Sequence, residues 1–390
     1  MGEQKNRIHL FDLVYIIFVL ALPFSWASFL SGSLYRTISI ILILLFLVFT
    51  KGRIPLREQN RSVRIAFASY ILYIVLTMIW ATNRSAGPNI VLGMLLILAI
   101  AYIFASIDFS LFQSAVIDYC WIVAGALAAI IFLCGGTTSV GQYGSRASLV
   151  ILGTSTDPNE FAALFVVTIP LLIYYSIKSR RIIFRIVFWV LALVELYAVL
   201  LTGSRGALVG VIISVFFILF ISGVLSVKGV MLALVCIVLL MWTMTKFLLP
   251  NIPEDVINRL SLQSVLNDNG SGRAMIWADG MKQWLDGNPI RWLIGYGVDG
   301  IKAHGVRGDT GTMHNQILQQ IVCYGLVGLG LYLRLLWCSL REIYLHNKKY
   351  LGPFMGIMFV SFTITMGPSC KILWILLMMA FVRGDQRSGG

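Results

Sequence analysis

Charge is what this sequence has least of. Only 12% of its 390 residues are Asp, Glu, Lys or Arg, where a soluble domain carries roughly 25%. Acids are the scarcer sign, 17 against 30 Lys and Arg, which leaves a formal net charge of +13. That excess does not point to nucleic acid, because no basic stripe with RNA-type aromatic motifs accompanies it and the basic residues sit between apolar runs. Phosphate-loop, GxGxxG-after-strand, HExxH and paired-carboxylate signatures are missing, so nucleotide hydrolysis and zinc chemistry have no support, and neither a cofactor nor a metal is expected. Cysteine is sparse too. Cys120, Cys134, Cys236, Cys323, Cys338 and Cys370 form no close pair and lie mostly in or at the ends of apolar runs, which excludes a disulfide frame and reads as small buried hydrophobes. The first apolar run lacks a small-residue cleavage site and reads as a retained helix.

What the sequence has is apolar length. Hydrophobic residues make up 58% of it and the mean hydropathy is +0.87. A bilayer core of roughly 30 Å takes about 20 apolar residues as a helix. Spans are predicted near 11–30, 35–50, 63–80, 88–107, 111–134, 158–177, 182–202, 206–222, 229–249, 313–340, 350–366 and 369–383. With the N-terminus inside, Lys51 to Arg64, Lys178 to Arg185, Arg341 to Lys349 and the tail with Arg383 and Arg387 all fall on one side. The opposite loops are nearly bare of charge, which is the positive-inside pattern. The fold class expected is therefore an all-α integral membrane protein of about twelve transmembrane helices, with both termini cytoplasmic. Residues 1–249 hold helices one to nine, 250–312 form one longer extracytoplasmic loop, and 313–390 hold helices ten to twelve and the tail.

The long loop is too short for an ordinary catalytic domain and reads as a cap over the helices. Met275, Ile276, Met281, Trp284 and Leu285 are expected to line one face of a short helix, with Trp277 and Trp292 nearby. These rings either anchor the helix in the interface or stack on sugar.

Polar residues at the extracytoplasmic edge carry the candidate chemistry. Arg205 stands in Thr202-Gly203-Ser204-Arg205-Gly206-Ala207, a tight break between spans. An arginine at such a place either snorkels to headgroups or meets a ligand, and the flanking glycines, which let backbone approach closely, favour the ligand. Gly206 and Gly210 make a small-xxx-small pattern for helix packing. Arg273 follows Gly270-Ser271-Gly272, and Arg146 follows Gly144-Ser145. Two or three guanidinium groups suit a diphosphate, which they grip in a two-pronged way. His314 precedes Asn315 and Gln316 where the loop re-enters the membrane, and histidine titrates near neutrality, which suits removal of a hydroxyl proton. His304 lies in a glycine-rich loop and is the weaker histidine. Asp157-Pro158-Asn159-Glu160 opens a span, with Asp157 as helix cap and Asn159 and Glu160 as substrate-positioning candidates. Glu195 lies inside a span and is either functional or helix–helix glue.

These residues resemble the O-antigen ligase and O-antigen polymerase family of bacterial membrane glycosyltransferases. The matching pieces are Thr-Gly-Ser-Arg-Gly-Ala around Arg205, Pro-Asn-Glu-Phe-Ala around Asn159, Ser-Gly-Arg…Trp at 271–277, Asn-Pro…Gly-Tyr-Gly at 288–297, and His314-Asn315 followed by Gly325 and Gly328. They occur in the family's order. The resemblance implies transfer of a glycan from a polyprenyl diphosphate, typically undecaprenyl, to a sugar hydroxyl at the extracytoplasmic face of the inner membrane, without metal or nucleotide and with inversion. It implies that Arg205 and Arg273 hold the diphosphate and that His314 handles the acceptor hydroxyl, with Arg146, Asn159, Glu160 and Asn315 around the substrate. Expected partners are the lipid-linked donor, the glycan acceptor, the bilayer and polysaccharide-assembly proteins. The lean loop offers no dock for a large lipid A-core acceptor, which favours a polymerase over a ligase. A flippase or transporter of lipid-linked sugars is the reading from another class, and the lack of an internal repeat speaks against it.

Overall fold

The computed structural model describes residues 16–21, 28–29, 32–52, 58–83, 87–107, 109, 111–135, 137–140, 146–151, 154–224, 272–305, 308–367 and 370–382. The expected span at 229–249 lies outside these residues, as do the loop from 250 to 271 and most of the expected first span. Helices dominate because apolar runs offer the backbone no solvent partner, and an α-helix satisfies its own N–H and C=O groups. They are α1 Leu34–Thr50, α2 Arg61–Leu76 with a 3-10 turn Thr77–Ile79, α3 Gly87–Ser106, α4 Leu111–Leu133, α5 Pro158–Lys178, α6 Ile182–Thr202, α7 Arg205–Ile221, α8 Arg273–Leu285, α9 Pro289–Ile294, α10 Gln316–His346, α11 Leu351–Ser361 and α12 Lys371–Met378. Among the described residues, 6 helices are long and apolar enough to cross a membrane, and α1, α7 and Lys371–Phe381 are apolar but shorter. This is a helical membrane protein. Small antiparallel ladders join the helices: β1 Ser28–Phe29, which corrects the end of the span expected at 11–30, with β2 Gly32–Ser33, and, in segments read from the sequence as loops, β3 Thr137–Val140 with β4 Arg146–Ile151 and β5 Thr154–Ser155, and β6 Ala303–Gly305 with β7 Gly308–Thr310.

The chain divides into two compact units. One comprises Ile122–Ser271 and Lys348–Val360. Its centre is α5, whose residues from Phe161 to Ile173 are all buried and which packs on α6, α7 and β4. A helix apolar all round belongs in such a core. By contrast α6 leaves Ile182, Ile183, Phe184, Ile186 and Val190 exposed, a face suited to lipid. The small-xxx-small expectation is half met. Gly210 of α7 is buried and lies against Gly356 and Val360, while its true counterpart is the Gly352/Gly356 pair of α11, which lies against Ser214 of α7. Close approach through small residues is how helices associate where lipid removes the hydrophobic drive.

Glu195 resolves as glue. It is fully buried, accepts a hydrogen bond from the Thr168 hydroxyl of α5, and lies where a side chain on Gly125 of α4 would stand. Three helices thus meet at one carboxyl. Glu195→Gln keeps the acceptor and is expected to shift stability by less than about 1 kcal/mol, as interhelical hydrogen bonds in membranes average about 0.6 kcal/mol. Gly125→Leu overpacks the junction and should cost about 1–3 kcal/mol or more. Thermal unfolding in detergent tests both, and a Gly125→Leu protein as stable as wild type would refute the junction.

The other unit comprises Met1–Trp121, Gly272–Asn347 and Ser361–Gly390. Its axis is α10, which packs on α2, α8, α9 and α12. The expected uninterrupted span at 313–340 is corrected here, because α10 breaks at Gly325, where φ is 64° and ψ is −169°. The break frees carbonyls that an unbroken helix would use itself, and each finds a donor. Val322 O accepts from Tyr296 N at 3.0 Å and Cys323 O from Gly297 N at 2.7 Å, and Tyr324 O accepts from the Tyr73 hydroxyl at 2.9 Å. Gly295 has nearly the same conformation, φ 69° and ψ −167°, and the two glycine backbones lie directly against each other. Lower in the bundle the Tyr70 hydroxyl donates to Gln320 Oε1 at 3.0 Å, and its ring meets those of Tyr332 and Trp374. Seven successive residues of α12, Ile372 to Met378, are buried, so this last helix is a core element of its unit.

The apolar face expected on α8 is also corrected. Ile276, 8% exposed, and Gly280 face the protein, whereas Met275 and Leu285 are 49% and 57% exposed. The reason is spacing: Ile276 and Gly280 stand one turn apart and share a face, which Met275 does not. With Ile290, Trp292 and Leu293 also exposed, the cap presents apolar surface away from its own unit, as an interfacial helix does.

Candidate functional site

The predicted residues fall into two groups, one in each unit. The first stands at the start of α5 and α7. Asp157 caps α5 as expected, its Oδ1 accepting from Asn159 N at 2.7 Å and Glu160 N at 3.2 Å, with Pro158 in the first turn. Gly203 closes α6 in the left-handed conformation, φ 60°, so its role is the turn itself. Ser204 then stands at the N-cap position of α7 and is buried. Its hydroxyl donates to Asn159 Oδ1 at 3.0 Å. That bond brings two helix N-termini together and puts Arg205 beside Asn159 and Glu160, all three half-buried. Two N-termini and a guanidinium make a surrounding that favours an anion. Arg146 opens β4, its backbone paired with Val140, and β4 packs on α5 and α6.

The second group surrounds the start of α10. Asn315 caps this helix, its Oδ1 accepting from Ile317 N at 3.0 Å and Leu318 N at 3.1 Å. The substrate-contact reading of Asn315 thus gains a structural competitor, since that oxygen already serves two amides. His314, half-buried, has a φ of 48°, uncommon for a residue with a Cβ. The residue before it is held from two sides: Met313 N donates to Gln319 Oε1 at 2.9 Å, and Met313 O accepts from Trp277 Nε1 at 2.8 Å. Thr312 Oγ1 donates to Thr365 Oγ1 at 2.8 Å. Arg273 is the first residue of α8, one turn ahead of Trp277, so the two share a face and Arg273 is brought to the same region as His314. His304 lies in β6 with its backbone paired to Asp309.

Residues 186–333 match the family model described as O-antigen ligase. Over those residues the chain is similar to O-antigen ligases. No curated protein matches it. The O-antigen ligase match contains Arg205, Arg273 and His314, while Arg146, Asn159 and Glu160 precede it.

Two residues of note escaped the sequence reading, and a third was read for a different role. Asp118 is fully buried within α4, and an acidic residue in an apolar run is the signal that could have found it. Asp299 has a φ of 57°, accepts from Asn83 Nδ2 at 2.7 Å and lies against Gly311 of the His314 loop, while partial burial raises its carboxyl above the usual carboxylate range. Its place between glycine-rich turns was the available clue. Trp277 was read as an anchor or a sugar platform, and it is a hydrogen-bond donor to the backbone beside His314. Among the described residues no group of His, Cys, Asp and Glu is placed to hold a metal ion.

Proposed function

We propose that this protein is a membrane glycosyltransferase that moves a glycan from a polyprenyl diphosphate to an acceptor sugar hydroxyl at the extracytoplasmic face of the cytoplasmic membrane, and that its product is a growing surface polysaccharide. Arg205 and Arg273 hold the diphosphate and stabilise it as it leaves, by fixed charge in a poorly hydrated setting. His314 orients or deprotonates the attacking hydroxyl, which displaces the diphosphate with inversion at the sugar carbon. Asn159, Glu160, Arg146 and Asn315 border the substrate.

One observation carries this reading, and it holds in each unit taken alone. In the first, α5 starts at the Asn159–Ser204–Arg205 cluster and ends at Lys178, followed by Arg180, Arg181 and Arg185. In the second, α2 starts at Arg61 and Arg64, and its far end holds the 295–298 loop, Val298 N donating to Thr77 Oγ1 and Thr82 N to Tyr296 O at 3.1 Å each. The Asn159–Ser204–Arg205 cluster and the 295–298 loop of the cap each lie remote from the basic residues of their own unit, which under the positive-inside rule supports an extracytoplasmic site. That placement supports a lipid-linked donor presented outside, as expected of a twelve-span path with cytoplasmic termini.

Reconstitution in proteoliposomes with a lipid-linked repeat unit tests the proposal. Chain growth from the repeat alone is the expected result. Growth only after a lipid A-core acceptor is added would make the protein a ligase, and movement of intact donor across the bilayer without a new glycosidic bond would make it a flippase.

A further inference from the structure

We propose that Trp277 is a positioning residue for His314, acting through the Met313–His314 peptide, and that α8 thereby ties the diphosphate-holding Arg273 to the histidine that handles the acceptor. The inference rests on the role given to His314 above.

His314 is one of three non-glycine residues with positive φ among the described residues. Such a conformation costs on the order of 1–3 kcal/mol and persists only where the surroundings impose it. The surroundings here are visible. Met313 is fully buried; its N–H is taken by Gln319 Oε1 and its C=O by the indole of Trp277. Fixing both polar atoms of the residue before His314 leaves the turn little freedom. Gln319 is itself tied to the 361–367 turn, through Thr365 Oγ1 at 3.5 Å. The third support is steric. Gly280 lies one turn after Trp277 on α8, and any side chain there would strike the Met313 thioether. Trp277 and Gly280 thus form one contact strip on Met313, and Arg273 stands at its head.

The consequence is mechanical. Arg273 and Trp277 belong to one helical turn of a rigid 13-residue helix, so a donor diphosphate that draws on Arg273 also sets the indole that sets His314. Alignment of nucleophile and leaving group is worth far more than binding alone, and an error of about 1 Å can cost about 100-fold in rate. A residue that fixes alignment changes kcat and leaves the ground-state grip on the donor alone.

Trp277→Phe keeps one aromatic ring at the site and removes the N–H donor together with the second fused ring. In proteoliposomes the expected result is a fall in kcat of about tenfold, with the KM for the lipid-linked donor unchanged and the melting temperature in detergent kept. Gln319→Met removes the acceptor on the other side of Met313 and should act in the same direction; it carries the test if Trp277→Phe does not fold. A kcat within twofold of wild type would overturn the proposal, and so would a loss of kcat matched by a loss of thermal stability. His314→Ala separates this failure from failure of the function itself: normal transfer by that variant removes the role of His314, whereas its inactivity beside a fully active Trp277→Phe removes only the positioning.

Discussion

Gly325→Ala is expected to leave little or no folded protein in detergent, and Gly295→Ala to do the same. The two glycines share a conformation, φ 64° and ψ −169° against φ 69° and ψ −167°, that lies in a region of backbone space open in practice only to glycine and worth on the order of 1–3 kcal/mol of strain for anything larger. Strain is the smaller part of the effect. A Cβ on Gly325 would run into the backbone of Leu293 and Gly295, and one on Gly295 into the backbone of Cys323 and Gly325. Backbone cannot rotate away as a side chain can, so the two segments must separate. Separation strips the donors from Val322 O, Cys323 O and Tyr324 O, at about 1–3 kcal/mol for each carbonyl left buried and unpaired. The sum rivals the whole stability of a typical protein, about 5–15 kcal/mol. Gly330, also in α10, is the internal control. Its added Cβ meets nothing within 4 Å, and Gly330→Ala should be neutral or slightly stabilising, by up to about 1 kcal/mol. Size-exclusion profiles and thermal unfolding of the three variants decide the matter. A monodisperse Gly325→Ala protein that melts with the wild type would mean that the break is not locked by the Gly295 segment.

This break marks the boundary of what could be read in the sequence. Apolar runs of about 20 residues are a one-dimensional signal, and α2 through α6 lie where hydropathy puts them. A break within such a run leaves hydropathy almost unchanged. Its cause, the pairing of Gly295 with Gly325, joins positions thirty residues apart, and no local window reports it. The same holds for the Gly352/Gly356 pair, whose partner helix α7 precedes it by more than a hundred residues. Side-chain roles were legible where they are local. Asp157 followed by Pro158 announced a helix cap, and a cap is what it is. The pairing of Ser204 with Asn159 joins distant segments that carry no local sign of each other, and that of Trp277 with Met313 was hidden because the indole could equally serve as a membrane anchor. For α8 the error was one of phase. Counting apolar residues selected Met275 and Leu285, while the helix turned its smallest residue, Gly280, toward the protein.

Arg205→Ala should lower glycan transfer by about 100- to 1000-fold while the protein still folds, and His314→Ala should do likewise. The estimate follows from the loss of one fixed donor to a charge that develops in the transition state, typically about 2.7–4 kcal/mol. The turn is held by Gly203 N to Leu200 O at 2.9 Å and by the Ser204–Asn159 bond, and truncation at Arg205 leaves both in place. Arg205→Lys discriminates further, since a single ammonium keeps the charge and loses the two-pronged grip on phosphate oxygens. It should therefore retain activity between that of alanine and wild type. A headgroup-bound arginine behaves differently, because lysine replaces it in that role at no comparable loss. Ser204→Ala, which removes the bond to Asn159 and leaves the charge, should fall short of Arg205→Ala in its effect on rate. Transfer by Arg205→Ala at the wild-type rate, with protein levels matched, would end the catalytic reading of this cluster and return it to a turn between two helices.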